Sequence, residues 1–320
     1  MNHVISYSKT GSVDVLEYKE APIPSAGPHQ VLVKNAYAGV NYVDTYFREG
    51  LYEAALPSVL GIEGAGVVES LGEEVTDFKV GDRVVYMTMG GSYAQYTAAY
   101  TLFMAKIPDE VSFETACASL VQGLTAYMLI THSYNVQKDD WVVVYAAAGG
   151  VGSFMCQMLK HRGAHVIAVT STEEKGQMAV NYGAECSCRY DKLAETVREK
   201  TNGKGVRAVF DSIGKDTLDL SLDILALEGR FVSFGNASGP IDNFSLNRLQ
   251  RRCLKVTRPG LLHFFEDHES FANAAQALFD EITNNGVKVS IFKEYPMSEA
   301  KQAHLDIQSR KTTGKLLLKC

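Results

Sequence analysis

The run VVVYAAAGGVG at residues 142–152 decides the fold of this chain. Four residues typical of a buried strand lead into the spacing Ala-x-Gly-x-x-Gly, which begins at Ala147 and opens a helix. Small residues permit a tight turn, let the backbone approach a pyrophosphate and allow the helix to pack on the strand. Free N–H groups at the helix start attract the negative charge. The run predicts a dinucleotide-binding turn with contacts from Gly149, Gly150, Val151 and Gly152.

Short apolar strands alternate with helical segments on both sides of this run. Such alternation is typical of parallel βαβ units, and six strands make a complete Rossmann domain with a doubly wound sheet. We therefore predict an α/β fold over residues 122–261. Its predicted strands cover residues 141–145, 165–169, 186–190, 208–211, 230–234 and 254–257, with a helix at 246–252 before the last of them.

The residues before this domain read as a compact, mostly antiparallel β domain. Alternating runs at 30–33, 66–71, 83–86 and 93–97 are separated by Gly, Pro and Asp turns. The tail has a mixed pattern, with helices predicted at 271–284 and 298–309 and strands at 287–292 and 315–318. Because about sixty residues hold little core alone, we expect the tail to return to the first domain. The β-rich domain is thus predicted over 1–121 and 262–320.

Composition limits the class of function. The chain has 320 residues, 46% hydrophobic and 21% charged, and a net charge of −6, which gives no general attraction to nucleic acid or anionic lipid. The first twelve residues lack the pattern of a secretory signal. The six cysteines show neither a CxxC pair nor zinc-ligand spacing, so reduced thiols in a cytoplasmic protein are expected. No membrane partner and no metal are predicted.

The end of the second predicted strand bears on the choice of dinucleotide. An NAD site usually carries Asp or Glu ~20 residues beyond the glycines. Here the strand ends in hydroxyl residues, and Lys175 follows, a set that suits the 2′-phosphate of NADPH. Glu173 and Glu174 are the objection. A solvated loop in which Ser171 or Thr172 caps a helix is the alternative, and both readings can hold together.

Further segments resemble the quinone oxidoreductases related to zeta-crystallin, within the medium-chain dehydrogenase/reductase superfamily. The run GVNYVDTYFREGLY at 39–52 resembles their signature, and GIEGAGVV at 61–68 resembles the Gly-His-Glu segment of the superfamily. FDSIG at 210–214, FGN at 234–236 and VTRP at 256–259 follow in the same order. The resemblance covers essentially the whole chain and implies a Rossmann domain with a GroES-like catalytic domain, acting as a homodimer.

The chain departs from the zinc-dependent relatives at two positions. Those relatives carry Cys near position 41 and His at the second position of the Gly-His-Glu segment, where this chain has Asn41 and Ile62. Without a Lewis acid, hydride transfer from NADPH to a quinone is the expected reaction. An alkenal, enone or enoyl-thioester reductase is the alternative. An NADPH-binding structural or RNA-binding protein, with a patch near Arg251 and Arg252, is a non-enzymatic alternative that the acidic net charge disfavours.

The resemblance also implies roles for individual residues. Asn41 and Tyr46 are the catalytic candidates, expected to hydrogen-bond the substrate oxygen. Each has a structural alternative, Asn41 in a turn and Tyr46 in packing, while Asp44 fits a helix cap better than chemistry. The remaining cofactor contacts are expected along the nicotinamide end, the domain cleft, the 2′-phosphate, the adenine and the ribose, from Tyr42, Val43, Asp44, Thr45, Tyr46, Thr125, Met128, Ser171, Thr172, Lys175, Tyr190, Ile213, Phe234, Gly235, Asn236, Ala237, Arg258 and Arg310.

Overall fold

Two units make up the computed structural model, which describes residues 1–320. The first unit joins Met1–Val121 to Phe265–Cys320, and the second unit is Gln122–Phe264. The boundary at which the chain returns to the first unit thus lies after residue 264, whereas the predicted boundary lies after residue 261. Ring packing explains the shift, because Phe264 lies against His132 at 4.5 Å and Phe265 against Phe271 at 5.1 Å between ring centroids.

The N-terminal part of the first unit is dominated by strands. Helix α1 (Tyr42–Glu49) follows the longest strand, and helix α2 (Phe113–Met128) contains the division between the units. The strands are β1 (Asn2–Tyr7), β2 (Glu17–Ala21), β3 (Gln30–Val40), β4 (Ser58–Val59), β5 (Glu63–Leu71), β6 (Arg83–Met87), β7 (Tyr96–Tyr100) and β8 (Met104–Lys106).

Helix α2 continues as a π-helical turn over Leu129–Ser133. Its length and apolar composition would suffice to cross a membrane, a property that no other helix in residues 1–320 has. However, 67% of its most apolar window is buried inside the protein. Burial of this kind is what the core helix of a globular protein needs, and the composition alone therefore does not distinguish the two environments.

The second unit is a six-stranded parallel sheet with helices between its strands. The strands are β9 (Trp141–Tyr145), β10 (His165–Val169), β11 (Cys186–Cys188), β12 (Val206–Asp211), β13 (Leu225–Ser233) and β14 (Lys255–Thr257). The helices are α3 (Gly150–His161), α4 (Glu173–Asn181), α5 (Leu193–Lys200) and α6 (Leu218–Asp223). The sheet order β11-β10-β9-β12-β13-β14 is that of a Rossmann domain, so the predicted fold is confirmed.

Two local predictions in the second unit are wrong. The strand predicted at 186–190 ends at Cys188, because a 3-10 turn starts at Tyr190. The segment predicted as an α-helix, Leu246–Arg252, is a 3-10 helix with no buried residue. Only Leu249 packs against the core from this segment, and it is half-buried, so the segment gains little from the regular α-helical period.

The C-terminal segment belongs to the first unit. It contains helices α7 (His268–Thr283) and α8 (Ala300–Gln308) and strands β15 (Ile291–Pro296) and β16 (Lys315–Lys319). Strand β16 pairs antiparallel with β3, within the seven-stranded sheet ordered β15-β16-β3-β5-β6-β8 with β7 also on β3. A second sheet has the order β2-β1-β4. The antiparallel, β-rich character is confirmed, although β15 and β16 are parallel to each other.

Two strands of the first unit lie later in the chain than predicted. The run predicted at 93–97 becomes β7 at Tyr96–Tyr100, because Tyr93 turns into the core and leaves the sheet. The run predicted at 287–292 becomes β15 at Ile291–Pro296, since its pairing with Lys315–Lys319 sets its register. Partner strands far along the chain therefore set these boundaries.

Truncation of Leu318 to Ala is expected to destabilise the first unit by about 2–5 kcal/mol, because its side chain is fully buried in the core beside Leu316. Hydrogen exchange of β3 and β5 reports on that unit, while fluorescence of Trp141 reports on the second. Leu305→Ala, on the exposed face of α8, is the matched control and should change little. Equal loss of protection in both variants would contradict the prediction.

Candidate active site

The turn between β9 and α3 leaves room for backbone and ligand where side chains would clash. A Cβ atom on Gly152 would lie 2.5 Å from the carbonyl oxygen of Ala146 and 2.7 Å from the Cα of Ala147. Only glycine therefore lets helix and strand approach this closely. Gly149 is the N-cap of α3, and Ala146 has a left-handed backbone with φ 49°. The helix start at Gly150 fits a pyrophosphate.

Hydroxyl groups and a lysine follow the end of β10. The Thr172 hydroxyl accepts the backbone N–H of Lys175 at 3.3 Å, so the predicted cap of α4 is confirmed at this residue. Ser171 and Thr172 are exposed, and Lys175 is half-buried. Desolvation lowers the pKa of Lys175, although Glu174 opposes the effect. This end of the strand has no carboxylate of its own, and Glu174 lies in the first turn of the helix.

Loops at the ends of β12, β13 and β14 lie together. The buried carboxylate of Asp211 accepts the N–H groups of Ile213 at 2.6 Å and Gly214 at 3.0 Å. Arg258 donates to the Ser233 hydroxyl at 3.0 Å and to the Gly235 carbonyl at 3.1 Å. Backbone hydrogen bonds also link the loop after β12 to the loop after β13. These contacts bring together the predicted residues Ile213, Phe234, Gly235, Asn236, Ala237 and Arg258.

The other predicted cofactor residues differ in their contacts and in how much of each side chain is exposed. In the second unit, Tyr190 stacks on Tyr145 with ring centroids 5.7 Å apart, and Thr125 is half-buried. Met128 is 2% exposed and presents almost no surface to a ligand, so its predicted cofactor contact is not retained. In the first unit, Arg310 is exposed just beyond the end of α8, with φ 60°.

Helix α1 carries the predicted aromatic side chains. Asn41 is its N-cap, and Asp44, predicted to cap the helix that follows it, lies inside α1 and caps it from the third position, where its carboxylate accepts the Asn41 N–H at 2.7 Å. Tyr46 is 8% exposed and packs edge-on against Tyr42 and Tyr52 at 5.5 and 5.4 Å. The neighbouring Val43 is half-buried, whereas Asp44 and Thr45 have no exposed surface, so the predicted cofactor contacts of these two residues are not retained either. Packing therefore holds the Tyr46 ring in one place.

The amide of Asn41 is fully used inside the protein. Its Nδ2 donates to Glu63 at 2.9 Å and to the Gly39 carbonyl at 3.2 Å, and its Oδ1 accepts from Lys315 at 2.7 Å. Because lysine donates and a carboxylate accepts, this arrangement fixes the orientation of the amide. No hydrogen of Asn41 is left for a substrate. Its predicted contact with the substrate oxygen is therefore corrected to a role in anchoring α1.

Glu63 and Lys315 form an ion pair in which both side chains have no exposed surface. One Glu63 oxygen bonds Lys315 and Asn41, and the other accepts the N–H of Val121 in α2 at 2.6 Å. Sequence reasoning did not assign these two residues. Glu63 lies in the segment 61–68 that was singled out, so a carboxylate inside an apolar strand was the available signal. Lys315, at the start of a predicted strand, gave none.

Comparisons with known proteins agree with this geometry. Residues 150–281 match the zinc-binding dehydrogenase family, and residues 27–109 match the alcohol dehydrogenase GroES-like domain. A probable quinone oxidoreductase of Schizosaccharomyces pombe is 50% identical, covering 100% of this chain and 97% of its own length. The chain belongs to the quinone oxidoreductase family. The predicted resemblance is thus confirmed.

Two further relatives give this family member a wider context. The crystal structure of Escherichia coli quinone oxidoreductase complexed with NADPH is 38% identical, with a TM-score of 0.97 over 99% of this chain and 100% of that chain. The 2-haloacrylate reductase of a Burkholderia species is 36% identical over 97% of this chain and 96% of its own length. The confirmed fold combines a Rossmann sheet with a GroES-like domain.

The matched family is named for zinc, but the donor set in this quinone oxidoreductase family member differs from a zinc site. Within residues 1–320, no group of three or more His, Cys, Asp or Glu side chains is arranged to hold a metal ion. Positions 41 and 62 hold Asn and Ile, neither of which is a zinc ligand. The Lys315 ammonium lies beside Asn41 and supplies a positive charge there.

Replacement of Lys315 by Met is expected to lower the unfolding free energy by about 3–5 kcal/mol, because the Glu63 charge remains buried without a cation. Adding Glu63→Gln should recover part of this loss. The measurement is urea unfolding of the single variants and the double variant as a cycle. Lys19→Met, which breaks the exposed pair with Glu17, should cost at most ~1 kcal/mol. An equal loss in both lysine variants would contradict the prediction.

Proposed function

We propose that this chain is an NADPH-dependent quinone reductase that transfers hydride from NADPH to a quinone without a metal ion. The observation that carries the proposal is the glycine turn at Gly149–Gly152, together with the carboxylate-free end of the next strand and Lys175 in the helix that follows that strand. A dinucleotide fits the turn, and a 2′-phosphate fits the lysine and hydroxyls. Full-length similarity to quinone oxidoreductases supports the acceptor.

The second unit is proposed to hold the cofactor. Backbone N–H groups at the start of α3 bind the pyrophosphate, and the hydroxyls of Ser171 and Thr172 with Lys175 bind the 2′-phosphate. Tyr190 would contact the adenine. The two loops held by Asp211 and Arg258 receive the ribose and nicotinamide through Ile213, Phe234, Gly235, Asn236 and Ala237. NADPH, when bound, supplies a hydride from C4 of its nicotinamide.

The first unit is proposed to contribute the substrate contact. Tyr46, held by its aromatic neighbours, donates a hydrogen bond to the quinone oxygen as negative charge develops there. A quinone is already electron-poor, so its reduction does not require a Lewis acid. The residues at positions 41 and 62 are in keeping with this chemistry, since neither is a zinc ligand.

A second candidate activity is reduction of an activated alkene. The 36% identity to a 2-haloacrylate reductase supports it, because the same hydride can reach an electron-poor carbon–carbon double bond. The RNA-binding alternative is not adopted. Arg252, one of its two proposed contacts, donates to the backbone carbonyls of Asp223 and Leu225 at 2.5 and 2.6 Å. The side chain is thereby tied to its own domain.

Assembly and location are also part of the proposal. Strand β14 forms an edge of the second unit's sheet, and Val256 on it is 40% exposed. Pairing of this edge across a two-fold axis would give a homodimer. Six free cysteines suit a reducing compartment, so we propose a cytoplasmic enzyme.

The direct test is loss of NADPH absorbance with 1,4-benzoquinone, 9,10-phenanthrenequinone and an enal in parallel, each repeated with NADH and with a chelator. Quinone turnover that is faster with NADPH and unchanged by the chelator is expected. Turnover of the enal alone would replace the proposal with the second candidate. Loss of activity with the chelator would contradict the metal-free mechanism.

Tyr46→Phe is expected to lower quinone turnover by about tenfold or more, since one donor to the developing charge is lost. The affinity for NADPH, measured by fluorescence titration, should change less. Tyr100→Phe, at an exposed position of β7, serves as the control. Unchanged turnover in Tyr46→Phe would remove this residue from the mechanism.

Lys175→Met is expected to weaken NADPH binding by about tenfold, because one charge-assisted contact to the 2′-phosphate is lost. Binding of NADH, which lacks that phosphate, should stay the same. Calorimetric titration with both dinucleotides measures the two affinities. Lys204→Met, an exposed lysine in the turn before β12, should leave both unchanged. Equal weakening of NADPH and NADH would mean that Lys175 acts on the fold and not on the phosphate.

A further inference from the structure

Four buried polar side chains, two of them on α1 itself, form a hydrogen-bonded row in the first unit. It runs from Arg48 through His304 and Tyr93 to Asp44, and at most 1% of each side chain is exposed. The Arg48 guanidinium lies 3.0 Å from His304 Nδ1, and His304 Nε2 lies 3.3 Å from the Tyr93 hydroxyl. Tyr93 donates to Asp44 Oδ2 at 2.9 Å. The reaction proposed above uses none of these groups directly.

The direction of every hydrogen bond between these four side chains is fixed. A guanidinium only donates, so His304 Nδ1 accepts and the ring hydrogen stands on Nε2, facing the Tyr93 oxygen. Burial and the neighbouring Arg48 lower the pKa of His304 to about 3, which keeps the ring neutral. The Tyr93 hydroxyl hydrogen is therefore directed at Asp44. Burial and the nearby Asp44 raise the pKa of Tyr93, so this hydroxyl stays protonated.

Among these four side chains, Asp44 is the one whose charge can change. Its Oδ2 accepts from the Asn41 N–H and from Tyr93, while its buried Oδ1 has no hydrogen-bond partner. Burial raises the pKa of Asp44 to about 7, against the opposing effects of the two hydrogen bonds. The charged groups facing it are Lys315, which favours the carboxylate, and Glu63, which disfavours it; Tyr7 faces it from β1.

We propose that Asp44, oriented through Tyr93, is a positioning residue whose ionised form holds the first turn of α1 and with it Tyr46. The proposal rests on the proposed function of Tyr46. The carboxylate caps the Asn41 N–H and places a negative charge in the first turn, where the helix dipole favours it. A proton on Asp44 removes that charge. The first turn of α1, in which Asp44 lies two residues before Tyr46, is then less firmly held.

The first test is the pH dependence of kcat/KM for the NADPH–quinone reaction between about pH 5 and pH 9. The wild-type enzyme should lose activity as Asp44 is protonated below about pH 7. Tyr93→Phe removes a donor to the carboxylate and should move this loss to higher pH by about one unit. Asp44→Asn should abolish it. Tyr86→Phe also deletes a buried hydroxyl, hydrogen-bonded to Asn35, and should leave the profile in place.

A second readout does not depend on activity. The folded pKa of Asp44 lies above its unfolded value of about 4, because burial of the carboxylate costs the whole fold more than its hydrogen bonds in the first turn of α1 return. The fold as a whole is therefore more stable with Asp44 protonated, even though that turn is then held less firmly. That stability is present below about pH 4 and is lost as the pH rises through about 7. The unfolding midpoint of the wild type should therefore fall, relative to Asp44→Asn, across this range. In Tyr93→Phe the fall should extend to higher pH.

These results separate the two proposals. Absence of quinone turnover at every pH would defeat the proposed function, while the unfolding midpoints still decide the ionisation of Asp44. An acid loss of activity that persists unchanged in Asp44→Asn would overturn the positioning role. So would a Tyr93→Phe enzyme that is weakened equally at all pH values, since that result describes a packing defect.

Discussion

The ion pair between Glu63 and Lys315 is the constraint on which the first unit depends. Removing two charges from water is costly, and the pair is tolerable because hydrogen bonds from neighbouring groups supplement it. Asn41 bonds both partners, and the Val121 N–H takes the remaining carboxylate oxygen. One buried interaction thus connects β5, β16, the start of α1 and the middle of α2. Any shift of these elements would leave a charge unpaired in the core.

The two units differ in how they would contribute to the proposed reaction. The second unit relies on the absence of side chains, since Gly152 lets α3 approach β9 and leaves backbone N–H groups at the helix start. The first unit relies on buried charge, which anchors Asn41 and therefore the helix that carries Tyr46. In the proposed reaction, backbone N–H groups would bind a pyrophosphate that many dinucleotides share, whereas a side chain on a fixed helix could be matched to one acceptor.

Local patterns predicted much of the fold. Strands at 141–145 and 165–169 have the predicted limits, because each is a short apolar run between clear turn signals. The cap at Thr172 and the capping role of Asp44 also follow from neighbouring residues. The pairing of Glu63 with Lys315 spans 252 positions and has no local signature. The role of Asn41 was mistaken for the same reason, since its partners come from distant strands.

The order of the chain has a consequence for synthesis on the ribosome. The second unit is one continuous stretch, so all its strands have left the ribosome before β16 is made. Until then the Tyr37–Val40 edge of β3 lacks its partner, and the Glu63 carboxylate lacks its cation. We expect the second unit, in the middle of the nascent chain, to fold first. The β domain that is made before it has an unpaired strand edge until β16 is made, and such an edge favours aggregation.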